Sequence, residues 1–118
     1  NSLSFSEDGE YLIALDDGTL LVFDKDNSTP MWTADHPNGG LNFGRAEISA
    51  NGKYIAVTGY GLHFFSIDNN TPLWRSTKSV SYISISADGE FISTSGSILF
   101  SEIFSFNVNG ASLSFFGL

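Results

Sequence analysis

The sequence has no cysteine, and its positive charge is sparse. Without cysteine, a disulfide scaffold, a cysteine-ligated zinc site and thiol catalysis are excluded. Five Lys and Arg stand against 13 Asp and Glu, for a formal net charge of −8. Because such a charge repels phosphate backbones and anionic headgroups, we expect no nucleic-acid partner and no binding to a membrane surface.

Long hydrophobic runs are also missing. Apolar stretches such as LIAL and TLLVF are short and interrupted, whereas about 18 consecutive apolar residues are needed to cross a bilayer. We therefore expect a soluble chain without membrane insertion. It has no starting Met and no signal peptide, so we expect any targeting segment to have been removed or to lie outside these residues. The 118 residues, 42% of them hydrophobic, have the size of a single domain or segment, 1–118.

What the sequence does contain is repetition. The heptads DNSTPMW (26–32) and DNNTPLW (68–74) are nearly identical. A second template of Ser, two residues, Gly, a charged residue and an aromatic occurs three times, with turn glycines at Gly9, Gly52 and Gly89. A period of about 40 residues is typical of stacked or radially arranged units. The repeats are placed at approximately 3–46, 47–83 and 84–118, the last one degenerate.

Each unit is predicted to contain four short strands. VSYISIS, KYIAVTG, GLHFFSI and TPLWRST alternate or are rich in β-branched and aromatic residues, and the clusters ANG and DNN suit turns between them. No stretch has helical periodicity, so the predicted fold class is all-β, with about three four-stranded antiparallel units. Pro30 and Pro72 suit the start of an edge strand, while Trp32 and Trp74 would fill large apolar sites.

The segments SFSEDGEYLIALDDGTLLVFDKDNSTPMW and EISANGKYIAVTGYGLHFFSIDNNTPLW, with a weaker third copy from Ser84, resemble β-propeller repeats of the WD40-like and quinoprotein-like (PQQ-type) group. The resemblance implies that Trp32 and Trp74 dock adjacent blades. Closed propellers have about four to eight blades, so fewer than three repeats would be part of a longer propeller or would assemble from several copies. An open three-sheet arrangement or a β-sandwich is the structural alternative.

Candidate sites for chemistry are few. DKDNST at 24–29 resembles part of a calcium loop, but its second copy, SIDNNT, loses the first carboxylate and neither has the later bidentate Glu. We predict no cofactor, with calcium and pyrroloquinoline quinone as alternatives. Asn27 and Asn69 begin glycosylation sequons on predicted exposed turns, and their use would place the protein outside the cell or at its surface.

The only two histidines, His36 and His63, are the usual candidates for proton transfer near neutral pH. Neither has a Ser-x-Gly elbow or a metal-type spacing beside it, and we expect His63 to face a channel or the surface of a blade. Asp16 and Asp17 do not indicate a glycosidase-like pair, because such neighbours point to opposite faces in a strand and both point to solvent in a turn. Tyr60, between two glycines, is the candidate exposed aromatic for binding.

These features predict a noncatalytic scaffold or interaction module that binds a protein partner or itself. One alternative is a segment of a quinoprotein-like dehydrogenase, which the resemblance implies would hold the quinone and a metal in a central channel. Only four basic residues follow Lys25 and could hold the quinone's carboxylates: Arg45, Lys53, Arg75 and Lys78. The other alternative is a structural surface or filament subunit whose strand edges associate between copies.

Overall fold

The computed structural model describes residues 2–37, 42–76, 82–95, 102–107 and 112–116. Within these residues, twelve strands form three four-stranded antiparallel sheets. The all-β prediction is confirmed. No helix among the described residues is long and apolar enough to cross a membrane.

Each sheet is a meander in which consecutive strands pair. Sheet I contains β1 (Ser2–Phe5), β2 (Tyr11–Asp16), β3 (Thr19–Asp24) and β4 (Trp32–Ala34). Sheet II contains β5 (Arg45–Ile48), β6 (Tyr54–Thr58), β7 (Leu62–Ser66) and β8 (Trp74–Ser76). Sheet III contains β9 (Tyr82–Ile85), β10 (Phe91–Ser95), β11 (Glu102–Asn107) and β12 (Ser112–Phe116).

The predicted strand positions need one correction. VSYISIS, expected in the same unit as KYIAVTG, contains β9, the first strand of sheet III, while the first strand of sheet II is β5. The short RAEI of β5 gives a weak strand signal because two of its four residues are charged. The proposed repeat limits at 46/47 and 83/84 fall inside β5 and β9, and the division into repeats stays a prediction.

The repeated Ser-x-x-Gly template closes the turn between the first two strands of every sheet. In sheet II, Ser49 Oγ donates to Asn51 Oδ1 at 2.6 Å and accepts from the backbone N–H of Tyr54 at 3.1 Å. Gly52 takes a φ of 75°, which a residue with a Cβ adopts only at a cost. Gly9 and Gly89 have φ values of 74° and 75° in the equivalent turns, and Ser6 and Ser86 make the equivalent bonds.

The core lies between the sheets, because each strand of a middle sheet sends alternate side chains to opposite faces. Ile55 and Val57 belong to a buried cluster shared with sheet I, whereas Ala56 belongs to a second cluster shared with Ile92 of sheet III. The first strands of successive sheets contact each other, β1 with β5 and β5 with β9. The three sheets therefore follow one another in series around their first strands, and the β-sandwich alternative is wrong.

Candidate functional site

The β6–β7 turn presents one exposed aromatic side chain. Tyr60 lies between Gly59 and Gly61 with a φ of 51°, in the left-handed region. Its side chain is 77% exposed, and its ring stands edge-on to that of His36, with centroids 6.2 Å apart. Residues other than glycine rarely keep a positive φ, and such strained positions concentrate at functional sites. Tyr60 is therefore the strongest single candidate for a binding residue.

Two buried histidines hold this turn from beneath. The Nε2 atoms of His36 and His63 lie 2.6 Å and 2.9 Å from the carbonyl oxygen of Gly59, and their rings meet edge to face at 5.0 Å. Because a carbonyl oxygen only accepts, both Nε2 atoms carry hydrogen and donate. The imidazoles are 6% and 3% exposed, so the pair fixes the turn from inside the protein.

The position of His63 differs from the prediction. It faces neither a channel nor a blade surface, because its position on β7 directs it to the face packed against sheet I, where its ring lies 5.2 Å from that of Phe43. Burial lowers the pKa of His63, the hydrogen bond to the Gly59 carbonyl opposes this shift, and electrostatic interactions with His36 and Arg75 lower the pKa further. Its buried Nδ1 has no hydrogen-bond partner in the described part of the chain.

Sequence reasoning considered each histidine alone and missed that they form a pair. One signal was available. In strand register, His63 of sheet II corresponds to Leu21 of sheet I, because His63 pairs with Val57 as Leu21 pairs with Ala14. The second sheet therefore has a buried polar ring where the first has leucine. A repeat alignment in strand register would have marked His63 as an exception to the apolar pattern.

Trp32 joins sheet I to sheet II. Its indole Nε1–H donates to the carbonyl oxygen of Ile67 at 2.8 Å, and its ring lies 5.7 Å from that of Phe65. The bond from Asn70 Nδ2 to the carbonyl of Thr33, at 3.2 Å, connects the same two sheets. Trp32 is thus positioned between two neighbouring sheets.

Trp74 occupies the corresponding position in sheet II. Its ring stacks on Phe64 at 5.1 Å, and Phe64 in turn stacks on Tyr54 at 5.2 Å. These rings belong to, or pack against, the cluster between sheets II and III. Pro30 and Pro72 each lie two residues before these tryptophans, directly ahead of the last strand of their sheets.

The oxygens of the calcium-like segment are used to form the turn itself. Asp24 Oδ1 accepts from the N–H of Asp26 at 2.8 Å, and Asn27 Oδ1 accepts from that of Thr29 at 3.0 Å. Asn69 makes the matching bond, 2.9 Å long, in the second copy. Across the described ranges, no three His, Asp or Glu gather to hold a metal ion. Asn27 and Asn69 are exposed, and their glycosylation stays a prediction.

The first turns of the three sheets converge at the opposite edge from Tyr60. They border a shallow depression of about 580 Å³ lined by Glu7, Asp8, Ala50, Asn51, Ala87 and Asp88. Hydrogen bonds from Ser6 and the Glu10 N–H lower the pKa of Asp8, and bonds from the Glu90 N–H and Ser86 lower that of Asp88. These carboxylates stay ionised at neutral pH and would repel the carboxylates of pyrroloquinoline quinone, so this surface does not fit that cofactor.

The basic residues expected near a cofactor do not gather at that depression. The guanidinium of Arg45 lies over the ring of Tyr82, 4.8 Å from its centroid. Lys53 is exposed in the β5–β6 turn and Arg75 is exposed on β8. Lys78 lies outside the described residues. The quinoprotein alternative therefore gains no support from the described side chains.

Large apolar side chains are exposed on the two outer sheets. On sheet I, Leu3 is 73% and Phe5 is 66% exposed, and on sheet III, Phe91 is 58% exposed. Exposed apolar patches of this kind mark interaction surfaces in soluble proteins.

The comparisons with known proteins identify the fold. No protein-family model matches the chain, and no curated protein sequence matches it. Among solved structures, a chain of the mitotic checkpoint complex superposes with a TM-score of 0.77 at 16% identity over 95% of this chain and 36% of that one. A protein from Bacteroides fragilis assigned as a 6-phosphogluconolactonase superposes with a TM-score of 0.74 at 16% identity, over 97% of this chain and 37% of that one.

These similarities show the fold alone. The three sheets are blades of a β-propeller-like fold, as the sequence predicted, while the WD40-like and quinoprotein-like subclasses stay predictions. The chain spans little more than a third of the length of these two solved structures.

Proposed function

We propose that this chain is a noncatalytic β-propeller module that binds a protein partner through the edge bearing Tyr60. The observation that carries the proposal is the strained and exposed Tyr60, held in place by two buried histidines that share the Gly59 carbonyl. Tyrosine is enriched among the residues that contribute most to protein–protein binding. A turn whose backbone is fixed before binding loses less conformational entropy when the partner arrives.

The surroundings of Tyr60 indicate the chemistry of the partner. The β2–β3 turn lies at the same end of the sheets and exposes Asp16 and Asp17, and Asp35 is exposed where the chain leaves sheet I. Asp17 also has a positive φ, 50°, so this turn is tightly defined. An aromatic side chain flanked by carboxylates fits a partner with a basic surface and an apolar pocket.

The test starts with capture of proteins from the source organism on the immobilised chain, followed by affinity measurements with each purified candidate. Tyr60→Asn is the informative variant, because asparagine tolerates a positive φ and so keeps the turn while removing the ring. We expect at least about tenfold weaker binding, and a dissociation constant that rises with NaCl. Phe91→Ser, at the far side of the molecule, is the matched control. If Tyr60→Asn binds every captured protein as the wild type does, the proposal is wrong.

A further inference from the structure

We propose that a second copy of this chain binds head to tail on the outer face of sheet I, with Phe91 of one copy packing over Gly9 of the other. This interface is independent of the Tyr60 edge. It rests on a contact that is made twice between the described sheets and is half-made on the outer faces of sheets I and III.

The internal contact is an aromatic ring on a glycine. The aromatic that begins the second strand of one sheet packs against the first-turn glycine of the next sheet. A Cβ added to Gly52 would lie 3.0 Å from Cδ2 of Tyr11, and a Cβ added to Gly89 would lie 2.3 Å from Cδ2 of Tyr54. Both distances are shorter than ordinary carbon contacts, so each glycine makes room for the ring of the preceding sheet.

Each outer sheet holds one unused half of this contact. Phe91 takes the position of Tyr11 and Tyr54 in sheet III, but its ring is 58% exposed. Gly9 takes the position of Gly52 and Gly89 in sheet I, and a Cβ added to it would meet no atom of the described residues within 4 Å. Sheet III therefore offers the ring, and sheet I offers the space.

The outer face of sheet I carries apolar side chains like those that are buried between sheets I and II. Phe5, Leu12 and Phe23 are cross-strand neighbours on it, and with Gly9 they border a groove of about 360 Å³. The residues in the same register of sheet II include Ile48, Ile55 and Phe65, all of them buried between sheets I and II. A second copy on sheet I would repeat the packing that sheet I itself provides for sheet II.

The backbone supports the same continuation. The N–H of Glu7 donates to the carbonyl of Ala50 at 3.1 Å, and the N–H of Asn51 donates to the carbonyl of Ala87 at 2.9 Å. Each bond joins the first turn of one sheet to that of the next. Two copies would supply six four-stranded sheets, within the range of about four to eight found in closed propellers, and this number permits the head-to-tail contact to close into a ring of two.

The proposed junction between two copies lacks the tryptophan that anchors the junction between sheets I and II. In strand register, Leu113 of sheet III takes the position that Trp74 has in sheet II. At the junction of sheets I and II, the equivalent Trp32 packs on Phe65 and donates to the Ile67 carbonyl. We therefore expect Leu113→Trp to supply this anchor and tighten the association by about tenfold.

The dissociation constant of wild-type chain is measured by sedimentation velocity over a range of concentrations. We expect a dimer of twice the 12.8 kDa chain mass, more stable at high NaCl because each copy carries a net charge of −8. Phe91→Ser and Phe5→Ser, which change exposed side chains, should each weaken dimerisation at least about tenfold. Tyr60→Asn, the matched exposed aromatic, should leave it unchanged.

Mixing the two variants tests the head-to-tail arrangement. One junction in a mixed dimer carries both changes and the other carries none, so the mixture should associate more tightly than either variant alone. A monomer at every concentration and salt would overturn the proposal, as would a dimer that Phe91→Ser leaves intact or a filament without a closed dimer. None of these results bears on partner binding by Tyr60, so the two proposals fail separately.

Discussion

Replacing Trp32 tests whether the sheets are held together by the cross-sheet contacts described above. Trp32→Phe removes the 2.8 Å indole bond to Ile67 but keeps an aromatic ring near Phe65. A neutral hydrogen bond contributes about 1 kcal/mol to stability, so we expect a loss of about 1–1.5 kcal/mol. Trp32→Ala also removes the ring pair and its buried area, and should cost about 3 kcal/mol, the lower end for tryptophan because the side chain is only partly buried.

Urea unfolding followed by far-UV circular dichroism measures both losses as changes in the free energy of unfolding. Asn70→Ala is the control, because it removes an exposed cross-sheet bond of 3.2 Å and should cost about 0.5 kcal/mol or less. Dimerisation is kept constant by working at one low protein concentration. If Trp32→Ala unfolds within about 0.5 kcal/mol of the wild type, the tryptophan does not dock sheet I on sheet II, and the reasoning is refuted.

Two further predictions concern His63 and the turn glycines. Because the pKa of His63 is lowered in the folded chain, the unfolded chain binds more protons below the ordinary value of 6.5. The free energy of unfolding should therefore fall as the pH drops from about 7 to 5. His63→Leu should flatten this pH profile, and an unchanged profile would contradict the lowered pKa of His63. Gly89→Ala should lower the free energy of unfolding by about 2–3 kcal/mol, because the new Cβ adds a clash with Tyr54 to an unfavourable φ of 75°. Gly9→Ala has a similar φ of 74° but meets no described neighbour, so it should lower the free energy of unfolding by about 1 kcal/mol. Equal losses in thermal unfolding would show that the ring-on-glycine contact is not tight.

Much of the fold follows from short-range chemistry that the sequence displays. The Ser-x-x-Gly template encodes a complete turn, since its Ser and Asx side chains bond to backbone only five or two residues away. The repetition of that turn, together with alternating strands, is sufficient to predict serial four-stranded sheets. β5 was misplaced because a strand with polar residues on one side gives little signal in four residues.

The candidate site depends on long-range contacts and could not be predicted in the same way. His36 and His63 are 27 positions apart in the sequence and meet only because His36, which follows β4 of sheet I, packs against the β6–β7 turn of sheet II. No local pattern specifies that both rings donate to Gly59. Tyr60 was identifiable because its two flanking glycines predict an exposed loop tip, and the structure adds the strained backbone that the sequence does not show.

Small-angle X-ray scattering of the unmodified chain tests most directly whether its outer blade faces are interaction surfaces. A single chain has a Cα radius of gyration of 13.6 Å. We expect the forward scattering per unit concentration to double between dilute and concentrated samples, with a matching rise in the radius of gyration, and to do so at lower protein concentration when NaCl is added. Forward scattering that stays at the value for one chain under all these conditions would contradict the pairing of outer blade faces between copies.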